Sequence, residues 1–178
     1  MFSPGFILWL TGLSGSGKST LSNALLEELP KHTSRKIELL DGDVVRTNLS
    51  KGLTFSREDR DTNVHRMGWV ADLVARHGGI ALVAAISPFR SVRDQIKAIY
   101  PNVLEIYVEA SVQECARRDV KGLYAKALRG EIPNFTGVSD PYEPPITPHL
   151  TVATATLSIP EATRRIIDSI PPHLLASV

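Results

Sequence analysis

Unbroken apolar runs alternate along the chain with segments whose apolar residues recur every three or four positions. Phe6–Thr11 (FILWLT) is a continuous run of strand length, after which Leu21, Ala24, Leu25 and Leu29 share one helical face. KIELLD predicts a second strand. Val64, Met67, Val70, Ala71 and Val74 keep helical spacing and predict a helix from Asp61 to Arg76. GIALVAAI shows no polar alternation, so it reads as a third strand covered on both faces. A helix over Ser91–Ile99, a fourth strand at VLEIYV and a helix over Ser111–Arg118 follow. HLTVAT is a weaker fifth strand, and Pro160–Ile170 a last helix with proline at its start. Residues 119–148 break the pattern with KGLY, GEIPNFTG and DPYEPPITP.

This order implies an α/β fold, a mostly parallel sheet with helices on both faces, in a single domain over residues 1–178. In such sheets ligands bind beyond the carboxyl ends of the strands. TGLSGSGKS, DGD and SPFR each follow a strand end, so one crevice could collect all three.

Composition narrows the classes. With 43% hydrophobic and 22% charged residues, the chain reads as a soluble globular protein. A net charge of +1 argues against a nucleic-acid or membrane-surface binder. Cys115 is the only cysteine, which excludes an internal disulfide and fits a reducing, cytoplasmic setting. The opening residues have no basic leader, and their apolar run is too short to span a bilayer. The five histidines form no HExxH pair, so zinc chemistry has no support.

Gly12–Ser19 (GLSGSGKS) fits G-x-x-x-x-G-K-[ST], a phosphate-binding loop. Inward-pointing backbone N–H groups need unusual dihedrals and close approach, hence glycine at Gly12, Gly15 and Gly17. The following helix adds its positive end. Lys18 would reach the β- and γ-phosphates, and Ser19 would bind Mg²⁺. In DGD, Asp41 and Asp43 would point to the same side if the segment stays extended. One could hold magnesium waters while the other accepts an acceptor hydroxyl's proton. Arg46, Arg57, Arg60, Arg66, Arg90 and Arg93 are candidates for anionic oxygens, with Arg57 set aside as a partner of nearby acids. Arg117–Glu131 carries five basic residues against two acidic ones, which suggests a basic flap over transferred phosphate. Phe55 and Phe135, in polar surroundings, are candidates either for stacking on a base or for satellite packing.

GLSGSGKST, LLDGDVVRTNL, FSREDRDTNVHR, ISPFRSVR and RDVKGLYAKALRGEIPNFTGVSDPYEPP together resemble the adenylylsulfate kinase family, in the same order from about Phe6 to Pro145. The resemblance implies a P-loop, nucleoside-monophosphate-kinase-like three-layer sandwich with a five-stranded parallel sheet, a lid at about 118–148 and a homodimer. It also implies ATP and Mg²⁺ as cofactors, and phosphorylation of the ribose 3′-hydroxyl of adenosine 5′-phosphosulfate. By position, Gly12, Leu13, Ser14, Gly15, Ser16, Gly17, Lys18, Ser19 and Thr20 would hold the donor phosphates, with Arg118 over the donor nucleotide. Asp43 would face the acceptor hydroxyl, and Asp41, with Ser19, the magnesium. Arg46, Arg60, Asn63 and Arg66 would contact the phosphosulfate side. Phe55 and Phe135 would sandwich the adenine, and Ile86 and Ser87 would line the same pocket. Lys121, Gly122 and Leu123 would belong to the lid, with Thr136 near the acceptor base. The resemblance assigns Ser87 to a phosphoserine intermediate, a step that direct in-line transfer does not need. Thr54, Thr62, His65 and Val120 depart from the family pattern, and bear on affinity more than on reaction type. The chain reads as a stand-alone member or as a domain of an enzyme fused to ATP sulfurylase. Two other readings stay open at this level: a kinase of another small hydroxyl acceptor, such as a sugar acid, and a non-catalytic nucleotide-sensing domain.

Overall fold

The first apolar run becomes the middle of the sheet. In a computed structural model that describes residues 4–176, β1 (Phe6–Thr11) lies between β3 (Ile80–Ala84) and β4 (Val103–Glu109). β2 (Ile37–Asp41) and β5 (Leu150–Ala153) form the edges, giving the order β2-β3-β1-β4-β5 with every pairing parallel. All six residues of β1 are buried because helices cover both faces. Phe6, Leu8 and Leu10 pack with Leu21 and Leu25 of α1 (Lys18–Glu28) and with Ile166 of α7 (Ile159–Ser169). Ile7 and Trp9 face Val64 and Met67 of α3 (Arg57–Arg76) and Ile96 of α4 (Arg90–Ile99). Each large apolar side chain removed from water contributes about 1.5–3 kcal/mol, so a strand apolar on both faces is stable only between two helical layers.

The predicted strands and longer helices are present, with informative shifts at their ends. α3 begins four residues before the expected Asp61. Ser56 caps it by accepting from the Asp59 N–H at 3.2 Å, and Glu58 and Asp59 sit in its first turn, where acidic groups favour the positive helix end. α5 (Val112–Arg118) is capped in the same way by Ser111, and α8 (Pro172–Leu175) closes the described chain. Three short helices, α8 among them, were not expected. α2 (Gly42–Thr47) starts directly after β2, so DGD is not extended. Asp41 instead caps α2, its Oδ1 accepting from the N–H groups of Asp43 at 2.9 Å and Val44 at 3.4 Å. α6 (Leu123–Leu128) lies inside the segment that reads as irregular, and Asp119 holds its first turn by accepting from the Tyr124 and Ala125 N–H groups.

Candidate active site

Gly12–Ser19 joins the carboxyl end of the central strand to α1. Gly12, Gly15 and Gly17 all take positive φ, at 154°, 76° and 107°. At Gly12 a Cβ would stand 2.4 Å from the Val108 carbonyl oxygen, so only glycine fits there. Lys18 is buried, its Nζ donating to the carbonyls of Gly12 at 2.8 Å and Leu13 at 2.7 Å. Burial lowers its pKa from 10.5 to about 8, since the ammonium loses more hydration than its neighbours restore. The loop is braced from outside. Tyr124 donates from its hydroxyl to the Ser14 carbonyl at 2.9 Å, and Thr154 Oγ1 to the Ser16 carbonyl at 2.7 Å. Thr154 follows β5 and was not legible as a site residue; its only signal is its place at a strand's carboxyl end. Arg118, expected to lie over the donor nucleotide, is part of the same brace. Its guanidinium donates to the carbonyls of Gly15, Ser16 and Thr154 and to Glu114.

Ser19 and Thr20 lie exposed in the first turn of α1. Ser19 Oγ donates to Asp41 Oδ2 at 3.4 Å, which puts one hydroxyl and one carboxylate oxygen together at the phosphate end of the loop. That donor set suits Mg²⁺, a hard cation that takes oxygen ligands and keeps several waters. Asp43, in the first turn of α2, is exposed and ion-paired with Lys121, just before the αL cap Gly122 (φ 64°) of α6 and Leu123. Lys121 thus joins the segment after α5 to the carboxylate predicted to face the acceptor. The other basic side chains of that segment are largely matched: Arg117 and Arg118 bind Glu114, and Arg129 binds Glu131. Arg117 first, then Arg118, hold the Glu114 carboxyl down at about 2. The flap therefore carries little free positive charge, against expectation.

Arg60 occupies the place predicted for an anion contact, but its donors are taken by the protein. Nε donates to the Phe55 carbonyl at 2.8 Å, Nη1 to Thr136 Oγ1 at 2.6 Å, and Nη2 to the Asn134 carbonyl, with Asp140 at 3.3 Å. It fastens the Phe55 segment to the Phe135 segment. Phe55 is 60% exposed and carries the Arg46 guanidinium 4.5 Å from its ring centre. Arg46 also donates to the Thr54 carbonyl. Phe135 is half-buried and meets Tyr124 edge-on at 5.0 Å, so it packs in the satellite cluster around Leu13 and Cys115 while remaining beside the site. Asn63 is buried and its Oδ1 has no hydrogen-bond partner, the kind of orphan a ligand donor would satisfy. Arg66 is exposed and donates to the Leu49 carbonyl.

Ile86 is half-buried and Ser87 is 4% exposed, with φ at 40°. Ser87 Oγ accepts from Trp9 Nε1 at 3.1 Å and lies 3.2 Å from Thr11 Oγ1. With no carboxylate or imidazole hydrogen-bonded to its hydroxyl, Ser87 has the geometry of a positioning residue rather than of a phosphate-carrying nucleophile. Arg90 and Arg93 are consumed by the scaffold. Arg93 is buried against Glu105 at 2.8 Å, and Arg90 donates to the Pro144 carbonyl. Arg57, set aside as a partner of acids, lies 4.3 Å from the Phe89 ring centre. Among the described residues no group of three or more His, Cys, Asp and Glu could hold a metal, and no helix is long and apolar enough to cross a membrane.

A glycine loop between a central parallel strand and a helix, with a lysine inside it and two carboxylates at the next strand's end, defines a P-loop kinase. The sequence matches the adenylylsulphate kinase family over residues 4–153, and the chain belongs to that family. It is 55% identical over 174 residues to an adenylyl-sulfate kinase of Chloroflexus aurantiacus, covering 98% of this chain and 89% of that one. It is 52% identical over 163 residues to a probable bifunctional SAT/APS kinase of Sorangium cellulosum, covering 92% of this chain but 28% of the relative. The structure superposes with a TM-score of 0.89 on the Mycobacterium tuberculosis APS kinase in complex with AMPPNP and APS, at 39% identity, covering 93% and 97% of the two chains.

Proposed function

We propose that this kinase moves the γ-phosphoryl group of ATP to the ribose 3′-hydroxyl of adenosine 5′-phosphosulfate, giving 3′-phosphoadenosine 5′-phosphosulfate and ADP. The observation that carries the reading is Arg60, which ties the Phe55 and Phe135 segments into one acceptor wall. Two aromatics held together suit a purine, whereas a sugar acid has no use for them. Asn63 Oδ1, buried and unpartnered, supports the same side as an acceptor pocket.

The loop amides and Lys18 hold the donor phosphates and neutralise charge as it develops. Ser19 and Asp41 would hold Mg²⁺, which would add to the neutralisation of phosphate charge. Asp43 accepts or orients the proton of the attacking hydroxyl, and Lys121 turns from Asp43 toward the acceptor's anionic group when the acceptor enters. Ile86 lines the acceptor pocket, and Arg46 and Arg66 face its phosphosulfate side. Gly122 and Leu123 carry the lid that excludes water, and Thr136 sits at the acceptor base. The setting is cytoplasmic and the assembly a homodimer, with fusion to an ATP sulfurylase as the family's other arrangement. The decisive experiment incubates the purified chain with ATP, Mg²⁺ and micromolar adenylylsulfate and separates the nucleotides. A 3′-phosphorylated product that vanishes in Lys18→Ala supports the reading; ADP released without that product refutes it.

A further inference from the structure

Thr11 is the last residue of β1, immediately before the phosphate loop, and is fully buried. Its hydroxyl has three partners. It donates to the Ile86 carbonyl at 2.8 Å, and it lies 2.9 Å from Tyr142 Oη and 3.2 Å from Ser87 Oγ. A threonine hydroxyl has one proton and two lone pairs. The proton goes to the Ile86 carbonyl, so Tyr142 donates to Thr11, and the one Ser87 proton is shared between Thr11 and the Ala85 carbonyl at 3.4 Å. Ser87 in turn accepts from the Trp9 indole N–H. With Tyr142 and Ser87 against its two lone pairs, Thr11 has no capacity left for a further partner.

The turn it holds is otherwise unfavourable. Ser87 sits at φ 40°, a region where a non-glycine residue is strained, and strain of this kind persists where the surroundings over-determine it. The Ser87 carbonyl accepts from Arg93 Nη1 at 2.6 Å, and Arg93 Nη2 donates to the Glu143 carbonyl at 2.6 Å. The Glu143 N–H donates to the Pro88 carbonyl at 2.9 Å, and its carboxylate accepts from the Arg90 N–H. Segment 142–144 is thus locked to segment 86–90, and both are locked to the root of the donor loop through one hydroxyl.

We propose that Thr11 is a positioning residue that registers the acceptor wall at Ile86–Ser87 to the donor loop. It touches neither reactant. It fixes the offset between two loops that carry them, on neighbouring strands β1 and β3. An in-line transfer is sensitive to that offset, because a shift of about 1 Å at the reacting centre costs on the order of a hundredfold in rate.

The inference rests on the acceptor reading given above, and the experiment separates the two. Wild type, Thr11→Val, Thr11→Ser and Tyr142→Phe are compared for acceptor kcat/KM, ADP affinity and melting temperature. Thr11→Val is expected to lower acceptor kcat/KM by at least tenfold while ADP affinity changes less than twofold. Thr11→Ser, which keeps the hydroxyl, restores most of the loss, and Tyr142→Phe gives a smaller loss in the same direction. A purely structural residue would shift the melting temperature and leave kcat/KM per folded molecule unchanged; that result overturns the proposal. Should Thr11→Val not fold, Tyr142→Phe decides by the same ratio. Were the wild type to phosphorylate a different hydroxyl and not adenylylsulfate, the functional reading would fall, and the ratio measured on that acceptor would still settle Thr11.

Discussion

Lys121 and Asp43 form an ion pair across the site, 78 residues apart in sequence. The carboxylate proposed to face the acceptor is thereby held by the segment proposed as the lid. Asp43→Asn is expected to lower kcat by at least about 100-fold, the usual scale for losing a general base. ADP affinity should stay within twofold, since Asp43 does not touch the loop amides. Equal losses in turnover and ADP binding would contradict the assignment; stopped-assay kinetics and calorimetry read the two.

Lys18 gives a pH dependence of defined sign. Its ammonium has a pKa of about 8 because burial disfavours the charge. Donor phosphates favour the charged form, so the pKa rises on binding. ADP affinity should be level below pH 8 and weaken above it, by up to about tenfold per unit, with proton uptake on binding. Affinity that is flat from pH 7 to 9.5 would contradict this. For the fold itself the sign is opposite. A lysine pKa lowered from 10.5 costs stability fully below pH 8, and the cost is relieved as pH rises from 8 to 10.5.

Arg60→Met should separate the acceptor wall while leaving the donor loop intact. It strands the carboxylate of Asp140 and the acceptors on Phe55, Thr136 and Asn134. The expected destabilisation is about 2–3 kcal/mol, or a melting temperature lower by roughly 5–10 °C. Acceptor KM should rise more than about tenfold with ADP affinity retained. Arg60→Lys keeps the charge but not the fork, and should recover little.

Ser56→Ala removes the cap of the longest helix. About 1 kcal/mol is expected, a melting temperature lower by roughly 2–4 °C in a chain of this size. Ser56→Asp should retain the wild-type value, and a thermal scan of the three proteins checks it.

The sheet and the donor loop were legible because their signals are local: unbroken apolar runs at β1 and β3, and glycines spaced around Lys18. α2 and α6 were not, since six residues are too few for a helical period to show, and each is held by one aspartate side chain. Arginine roles were legible only in part. Arg60 finds Asn134 and Thr136, 74 and 76 residues on, and only folding brings those acceptors within reach. Thr11 and Thr154 are ordinary threonines in sequence and take their meaning from what crosses them.

The central place of β1 has a consequence for biosynthesis. Phe6 pairs with Ile80 and Ile7 with Val103, so the strand that carries the donor loop waits for partners made much later. A nascent chain stalled before β4 leaves FILWLT with one edge bare and no rigid root for the loop. Nucleotide capture therefore waits on β4, and until then the apolar run stays unpaired along one side.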